Sequence, residues 1–266
     1  MAPLLTVIVP AYNEATTIKR LLDAVAAVPC GKQIVVVDDG STDGTAAAID
    51  GWTRCHGGEI EIDQVRHRIN RGKGAAIRTG LTLARGEVVL IQDADLEYDP
   101  EDYPALIGPI LSGDAEIVFG SRYLRTDNSL PWSLNRLCVL LLNGIVLVLY
   151  RRKLTDEATC YKAFRTVLLR RMDLRCERFE FCPEVIAKAC FMGIGIVEVP
   201  VKYLPRSHHD GKKIRWWDGV EAIATLIRWR LTRFEPIKVP NTLQTGKTPS
   251  QLICGDGLDL GGTTVD

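Results

Sequence analysis

Four acids stand at alternate positions, Asp93, Asp95, Glu97 and Asp99, at the end of residues 88–99, VVLIQDADLEYD. The first half of that stretch is apolar enough for a strand buried on both faces, and ligands of open α/β sheets gather at the carboxyl ends of strands. Hard cations such as Mg²⁺ and Mn²⁺ take oxygen ligands, so an Asp-x-Asp leaving a strand can aim two carboxylates at one ion and leave its other positions to phosphate. Taken by itself, an Asp-x-Asp also fits a solvated acidic turn. Asp99, just before Pro100, fits best as the cap of a following helix.

The neighbouring segments supply the elements that would hold such a site. Residues 4–9 read as a buried strand closed by Pro10, and a helix follows with Ile18, Leu21, Leu22 and Val25 on one face. Residues 33–37 form a second apolar run, ending in Asp38-Asp39-Gly40-Ser41-Thr42-Asp43-Gly44. A third strand is expected over 60–65 and a helix after 70–74; strand four opens the acidic stretch, and a helix near 101–111 and a strand near 116–120 complete the series. This alternation predicts a mostly parallel sheet between two helical layers. The second half departs from it: an apolar helix over 132–150, short helices over 165–172 and 183–191, a strand over 196–201 and a basic loop over 202–213. A last helix over 214–233 puts Trp217, Val220, Ala224, Ile227 and Leu231 on one face among arginines. Beyond 235 the composition turns to Gly, Pro, Thr and Ser without periodicity, as in a disordered tail.

Charge divides along the same line. Residues 1–121 carry 10 Lys and Arg against 18 Asp and Glu, whereas residues 122–234 carry 21 against 11. An acidic half suited to a cation therefore adjoins a basic half suited to an anion. No nucleic-acid partner is expected. Eight cysteines lack any CxxC pair and read as scattered thiols of a reducing compartment. The chain runs from Met1 straight into a strand-like segment, without a signal-peptide pattern. The longest apolar run, 137–150, would reach about 21 Å as a helix, short of a hydrocarbon core of about 30 Å.

PAYNE at 10–14, VVVDDGSTDGT at 35–45, NRGKGAAIRTGLTLARG at 70–86, QDADLEYDP at 92–100 and FGSRY at 119–123 occur in order. Together they resemble the family-2 glycosyltransferases of the GT-A fold, most closely the branch of the dolichol-phosphate mannosyl- and glucosyltransferases. LTDEATCYKAF at 154–164, FEFCPEVIAKA at 179–189 and RSHHDGKKIRWWDG at 206–219 extend the likeness more loosely. The resemblance implies one glycosyltransferase domain over 1–234, with a nucleotide-sugar half over 1–121 and an acceptor half over 122–234. It implies a donor site of Pro10, Tyr12, Glu14, Asp38, Asp39, Lys73, Gly74, Asp93, Ala94 and Asp95. Carboxylates suit this role because they accept hydrogen bonds that base N–H and ribose hydroxyls donate. Asp38 and Asp39 also suit a turn and helix cap. Asp93 and Asp95 would hold Mg²⁺ or Mn²⁺; Glu97 stands where mannosyltransferase-like members often carry Gln, and reads either as a third ligand or as a solvated neighbour.

The reaction implied is inverting transfer of a hexose from a nucleoside-diphosphate sugar, of the GDP-mannose or UDP-glucose type, with Asp93, Asp95 and Arg122 as its catalytic residues. A hydroxyl acceptor needs a general base, whereas a phosphate monoester is already anionic. The basic second half favours a polyprenyl phosphate, dolichyl or undecaprenyl, held by Arg122, Arg136, Arg206 and Lys212, with Lys213 beside it. His208 and His209 read as loop residues. The helices over 137–150 and 214–233, with Trp216, Trp217 and Trp229, suit a membrane surface, so the expected location is peripheral on the cytoplasmic leaflet. Two other readings stay open. One is transfer to a hydroxyl of a soluble or oligosaccharide acceptor. The other is a sugar nucleotidyltransferase or a non-catalytic sugar-nucleotide-binding module; a nucleotidyltransferase should carry a Gly-rich, Arg-containing loop after strand one, where this chain has PAYNE.

Overall fold

The computed structural model describes residues 3–58, 60–128, 130, 134–206, 216–232 and 234–237. Strand β1 (Leu5–Ala11) lies in the middle of a seven-stranded sheet with β2 (Lys32–Asp38), β3 (Glu61–Arg66), β4 (Val88–Ile91), β5 (Ile117–Ser121), β6 (Lys162–Arg165) and β7 (Val197–Pro200). The order across the sheet is β3-β2-β1-β4-β6-β5-β7. All pairings are parallel except those of β6, which runs antiparallel to both β4 and β5. Strands β6 and β7 come from the second half of the chain, so both halves share one sheet.

Side chains alternate across a strand, and here the two sets fill different cores. Leu5, Val7 and Val9 of β1, Ile34 and Val36 of β2, and Val88 and Leu90 of β4 face helices α1 (Ile18–Ala27), α2 (Thr45–His56) and α4 (Tyr103–Leu111). Ile8, Val35, Val37, Val89 and Ile91 face the other way. There they meet α3 (Lys73–Leu83), α5 (Leu134–Tyr150), α6 (Thr166–Arg171), α7 (Phe181–Phe191) and α8 (Trp216–Leu231). Both faces of the strands are thus buried, which is why they read as continuous apolar runs. The three-layer architecture agrees with the sequence expectation. Asp99 caps the turn Pro100–Asp102 that opens α4, accepting from the Glu101 amide at 3.1 Å.

Two parts differ from expectation. Strand β6 was absent from the sequence reading; its four residues include Lys162, whose buried ammonium donates to the Glu157 carbonyl at 3.1 Å and to the Thr159 carbonyl, and lies 4.2 Å from the Phe119 ring centre. In α8 the helix is as expected but its orientation is reversed. Trp217 is 62% exposed and Leu231 81%, with Val220, Ala224 and Ile227 also outward, while Ala222, Thr225, Leu226 and Trp229 are buried. Trp229 is therefore a core residue, stacked 4.1 Å from the Lys188 ammonium. Of the expected tail over 235–266, residues 235–237 are described, and there the Ile237 amide donates to the Arg171 carbonyl at 3.1 Å; its remainder lies outside the described residues.

Candidate active site

The sheet order reverses between β1 and β4, and such a switch point opens a crevice at the carboxyl ends of the strands. Pro10 and Ala11 end β1, Asp38 ends β2, and the acidic loop leaves β4 one residue before Asp93. The donor-side residues expected from sequence are brought to this crevice by topology alone.

Lys73 begins α3 and reaches across to Asp93, with Nζ 2.5 Å from Oδ1 and 3.1 Å from the Cys160 sulfur. Burial pushes the Asp93 carboxyl up, but the Lys73 charge, hydrogen bonds from Cys160 and Lys73 and the Arg206 charge together outweigh it, and the net shift is downward. Asp95 is placed differently. Burial, then the charges of Asp93 and Glu97, push it up to about 7, against the opposing pull of Arg206. The Arg206 guanidinium lies 3.1 Å from Asp95 Oδ2 and 3.2 Å from Glu14 Oε2. Arg206 thus joins the acidic loop to the PAYNE segment. Ala94, between the acids, is buried in the core.

The loop at the head of α3 is fastened by Asp39. Its carboxylate accepts from the Arg71 and Gly72 amides at 2.9 and 2.7 Å and lies 2.6 Å from His67 Nδ1. Gly72 has φ +97°, and a side chain there would strike the Glu177 carbonyl. The Gly74 amide donates to the Arg178 carbonyl at 3.0 Å and the Ala75 amide to that of Glu177 at 2.9 Å. The Gly72, Gly74 and Ala75 amides are thus engaged within the protein, and the Lys73 side chain reaches Asp93 at the crevice. Asp38 is the less fully hydrogen-bonded of the two acids. Its Oδ1 accepts from the Ser41 amide at 3.0 Å, whereas buried Oδ2 has no hydrogen-bond donor, although Arg66 Nε lies 3.1 Å away out of line. Tyr12 is half-buried in the PAYNE turn, whose Asn13 has φ 49°.

On the acceptor side, Arg122 forms a forked pair with buried Asp156: Nε to Oδ2 and Nη2 to Oδ1, both at 2.7 Å. Its guanidinium lies 5.1 Å from the Tyr203 ring centre and 5.8 Å from that of Tyr123, within cation–π reach. Arg136 lies 5.5 Å from the Tyr123 ring centre and donates to the Leu130 carbonyl at 3.2 Å. Glu198 of β7 fixes the segment beneath by accepting from the Thr155 and Asp156 amides at 2.8 and 3.0 Å. Arg206, expected from sequence beside Arg122 and Arg136, pairs in the structure with Glu14 and Asp95. Lys212, Lys213, His208 and His209 lie outside the described residues. Tyr203, Asp156 and Cys160 were not singled out from sequence, although the last two lie inside LTDEATCYKAF.

The model for "Glycosyl transferase family 2" matches residues 6–176. The chain belongs to that family. An undecaprenyl-phosphate mannosyltransferase of Micrococcus luteus is 30% identical over 244 residues, covering 87% of this chain and 96% of its own. A dolichyl-phosphate beta-glucosyltransferase of Drosophila melanogaster is 31% identical over 239 residues, covering 82% and 71%. A dodecaprenyl-phosphate galacturonate synthase of Rhizobium johnstonii is 28% identical, and this chain spans 61% of its length. Among solved structures, glucosyl-3-phosphoglycerate synthase from Mycobacterium tuberculosis, crystallised with Mn²⁺, UDP and phosphoglyceric acid, superposes with a TM-score of 0.66. It is 19% identical, with 87% of this chain and 80% of that chain covered. The GT-A fold and the glycosyltransferase activity expected from the motifs therefore stand.

Proposed function

We propose that this glycosyltransferase moves a hexose, with inversion, from a nucleoside-diphosphate sugar to a polyprenyl phosphate at a membrane surface. The observation that carries the lipid acceptor is the outward apolar surface of α5 and α8. Leu137, Leu140, Leu141, Leu147 and Val148 on α5 and Trp217, Val220, Ile227 and Leu231 on α8 are exposed, on two helices packed against one another. Arg151, Arg152, Arg228 and Arg230 flank these faces, a composition suited to anionic headgroups. No helix among the described residues is long and apolar enough to cross a membrane. The crevice is common to the family; the exposed apolar faces argue for a lipid in particular. The relatives named for undecaprenyl, dolichyl and dodecaprenyl phosphates support the same acceptor class.

At the donor, Asp38 Oδ2 offers an acceptor for a base or ribose donor, and Lys73 and Arg206 place positive charge by the diphosphate. Asp93 and Asp95 fit a divalent cation. Their oxygens are hard donors, and Asp95, pushed up by burial and then by the charges of Asp93 and Glu97, is a carboxyl whose ionised form a cation would favour. No group of three or more such side chains is gathered among the described residues, so further ligands would come from phosphate. Mg²⁺ or Mn²⁺ held there would supply Lewis-acid stabilisation of the departing diphosphate. Arg122 and Arg136 would hold the acceptor phosphate, which needs no general base.

The deciding experiment assays UDP-glucose, GDP-mannose and UDP-N-acetylglucosamine with polyprenyl phosphate and Mn²⁺. One donor should be used, and Asp95→Ala should lower transfer by about a hundredfold or more, the scale of losing a main electrostatic contributor. Transfer to soluble sugar hydroxyls alone would refute the lipid acceptor. Full transfer by Asp95→Ala would refute the metal assignment.

A further inference from the structure

We infer that Glu97 is a positioning residue that holds the acceptor arginine in register with the donor loop, and is not a metal ligand. The inference rests on the reading of Arg122 as an acceptor-phosphate residue. In an extended strand, residues 93, 95 and 97 would share one face. Leu96 has φ 61°, a left-handed conformation that breaks the alternation between Asp95 and Glu97. The Glu97 side chain is turned toward the segment that follows β7.

Every polar group of Glu97 is used at that junction. Oε2 accepts from the Tyr203 hydroxyl at 3.0 Å and Oε1 from the Arg206 amide at 3.0 Å. Its carbonyl accepts from the Leu204 amide at 2.8 Å, and its own amide donates to Asp95 Oδ1 at 3.1 Å. Both partners lead to functional groups. The Tyr203 ring lies against the Arg122 guanidinium, and Arg206 extends to Asp95 and Glu14. Asn128 completes the link, donating to the Arg122 and Val201 carbonyls at 2.8 Å each and accepting from the Tyr203 amide at 3.0 Å. A shift of Tyr203 is therefore passed to Arg122 through both ring and backbone.

The test compares Glu97→Ala and Tyr203→Phe with the wild-type chain in three measurements. In Glu97→Ala the Arg206 amide should exchange hydrogen faster, since its acceptor is gone, while Tyr203→Phe leaves that amide protected. The Mn²⁺ affinity of the complex with UDP or GDP, read by electron paramagnetic resonance, should stay within about twofold in Tyr203→Phe and within about fivefold in Glu97→Ala, which removes a charge that acts on Asp95 without removing a ligand. The KM for polyprenyl phosphate should rise about tenfold or more in Glu97→Ala, the scale of hydrogen bonds to a charged group, with a smaller rise in Tyr203→Phe and kcat little changed. A Mn²⁺ affinity about tenfold or more weaker in Glu97→Ala overturns the inference, as does an acceptor KM left unchanged. A wild-type chain inert toward polyprenyl phosphate overturns the acceptor reading instead, and the exchange and Mn²⁺ measurements then decide the role of Glu97 by themselves.

Discussion

Asp156→Asn isolates what the forked pair does for Arg122. The wild-type carboxylate is fully buried, both of its oxygens accept from the guanidinium, and Oδ2 also accepts from the Arg122 amide at 3.0 Å. Removing one member of a buried ion pair typically costs about 3–5 kcal/mol, because the other charge is left without compensation. Two features reduce that figure here. The Arg122 side chain is 15% exposed, and asparagine keeps an oxygen for the Arg122 amide. The expected loss is roughly 2–3 kcal/mol, or about 5–10 °C in Tm for a domain of this size. Thermal unfolding gives the first number and steady-state kinetics with polyprenyl phosphate the second, where a guanidinium freed from its fork should raise the acceptor KM about tenfold. The double variant Arg122→Met with Asp156→Asn separates stability from function. It removes the stranded charge, so Tm should recover most of the loss while the acceptor KM stays high. A double variant as unstable as Asp156→Asn alone would refute the charge argument. An acceptor KM within about twofold of wild type in Asp156→Asn would refute the positioning of Arg122 by Asp156.

Two further outcomes test other parts of the molecule. Burial, opposed by Lys162, pushes Glu157 from the ordinary 4.5 up to about 7, and its Oε1 is buried without a hydrogen-bond partner. Between those values the folded chain binds the proton and the unfolded chain does not, so the group's contribution to stability falls as pH rises and is level below 4.5. Glu157→Gln should therefore gain Tm relative to wild type progressively from pH 4.5 to about 7; parallel Tm curves across that range would contradict the burial argument. Val148→Asp and Leu231→Asp alter side chains that are 78% and 81% exposed. Stability should change by no more than about 0.5 kcal/mol. Sedimentation with anionic liposomes should weaken by about tenfold for each, the equivalent of losing one buried apolar side chain, and unchanged sedimentation would remove these faces from the membrane reading.

Much of the sheet was legible because β1, β2, β4 and β5 are buried on both faces and bounded by polar loops. Strand β6 was not, since Lys-Ala-Phe-Arg gives no strand signal and Lys162 is tolerated inside through a turn that brings the Glu157 and Thr159 carbonyls back onto its ammonium and through the Phe119 ring of a neighbouring strand. The α8 error has another origin. Its stripe of Trp217, Val220 and Ile227 is periodic, but Ala222, Leu226 and Trp229 form a second apolar stripe opposite, and periodicity cannot choose between two such faces. Lys188 helps settle which one is inward, because its ammonium, ion-paired with Glu184 at 2.6 Å, needs the Trp229 ring above it.

The site shows the same division between what neighbours in sequence can reveal and what only packing can. Asp38 and Asp39 look equivalent as a pair of acids after a strand. Successive side chains at a strand end point to opposite sides, so they cannot share one task. Asp39 turns toward residues 67–72 and is taken up by two amides and His67, which fixes the loop that delivers Lys73 to Asp93. Asp38 keeps a buried oxygen that accepts no hydrogen bond, with Arg66 Nε 3.1 Å away as its ion-pair neighbour. A buried acceptor without a hydrogen-bond donor is costly unless a ligand completes it. The acid that holds the loop and the acid with an oxygen left over are thus told apart by the partners of Asp39, which lie some thirty residues away in the chain.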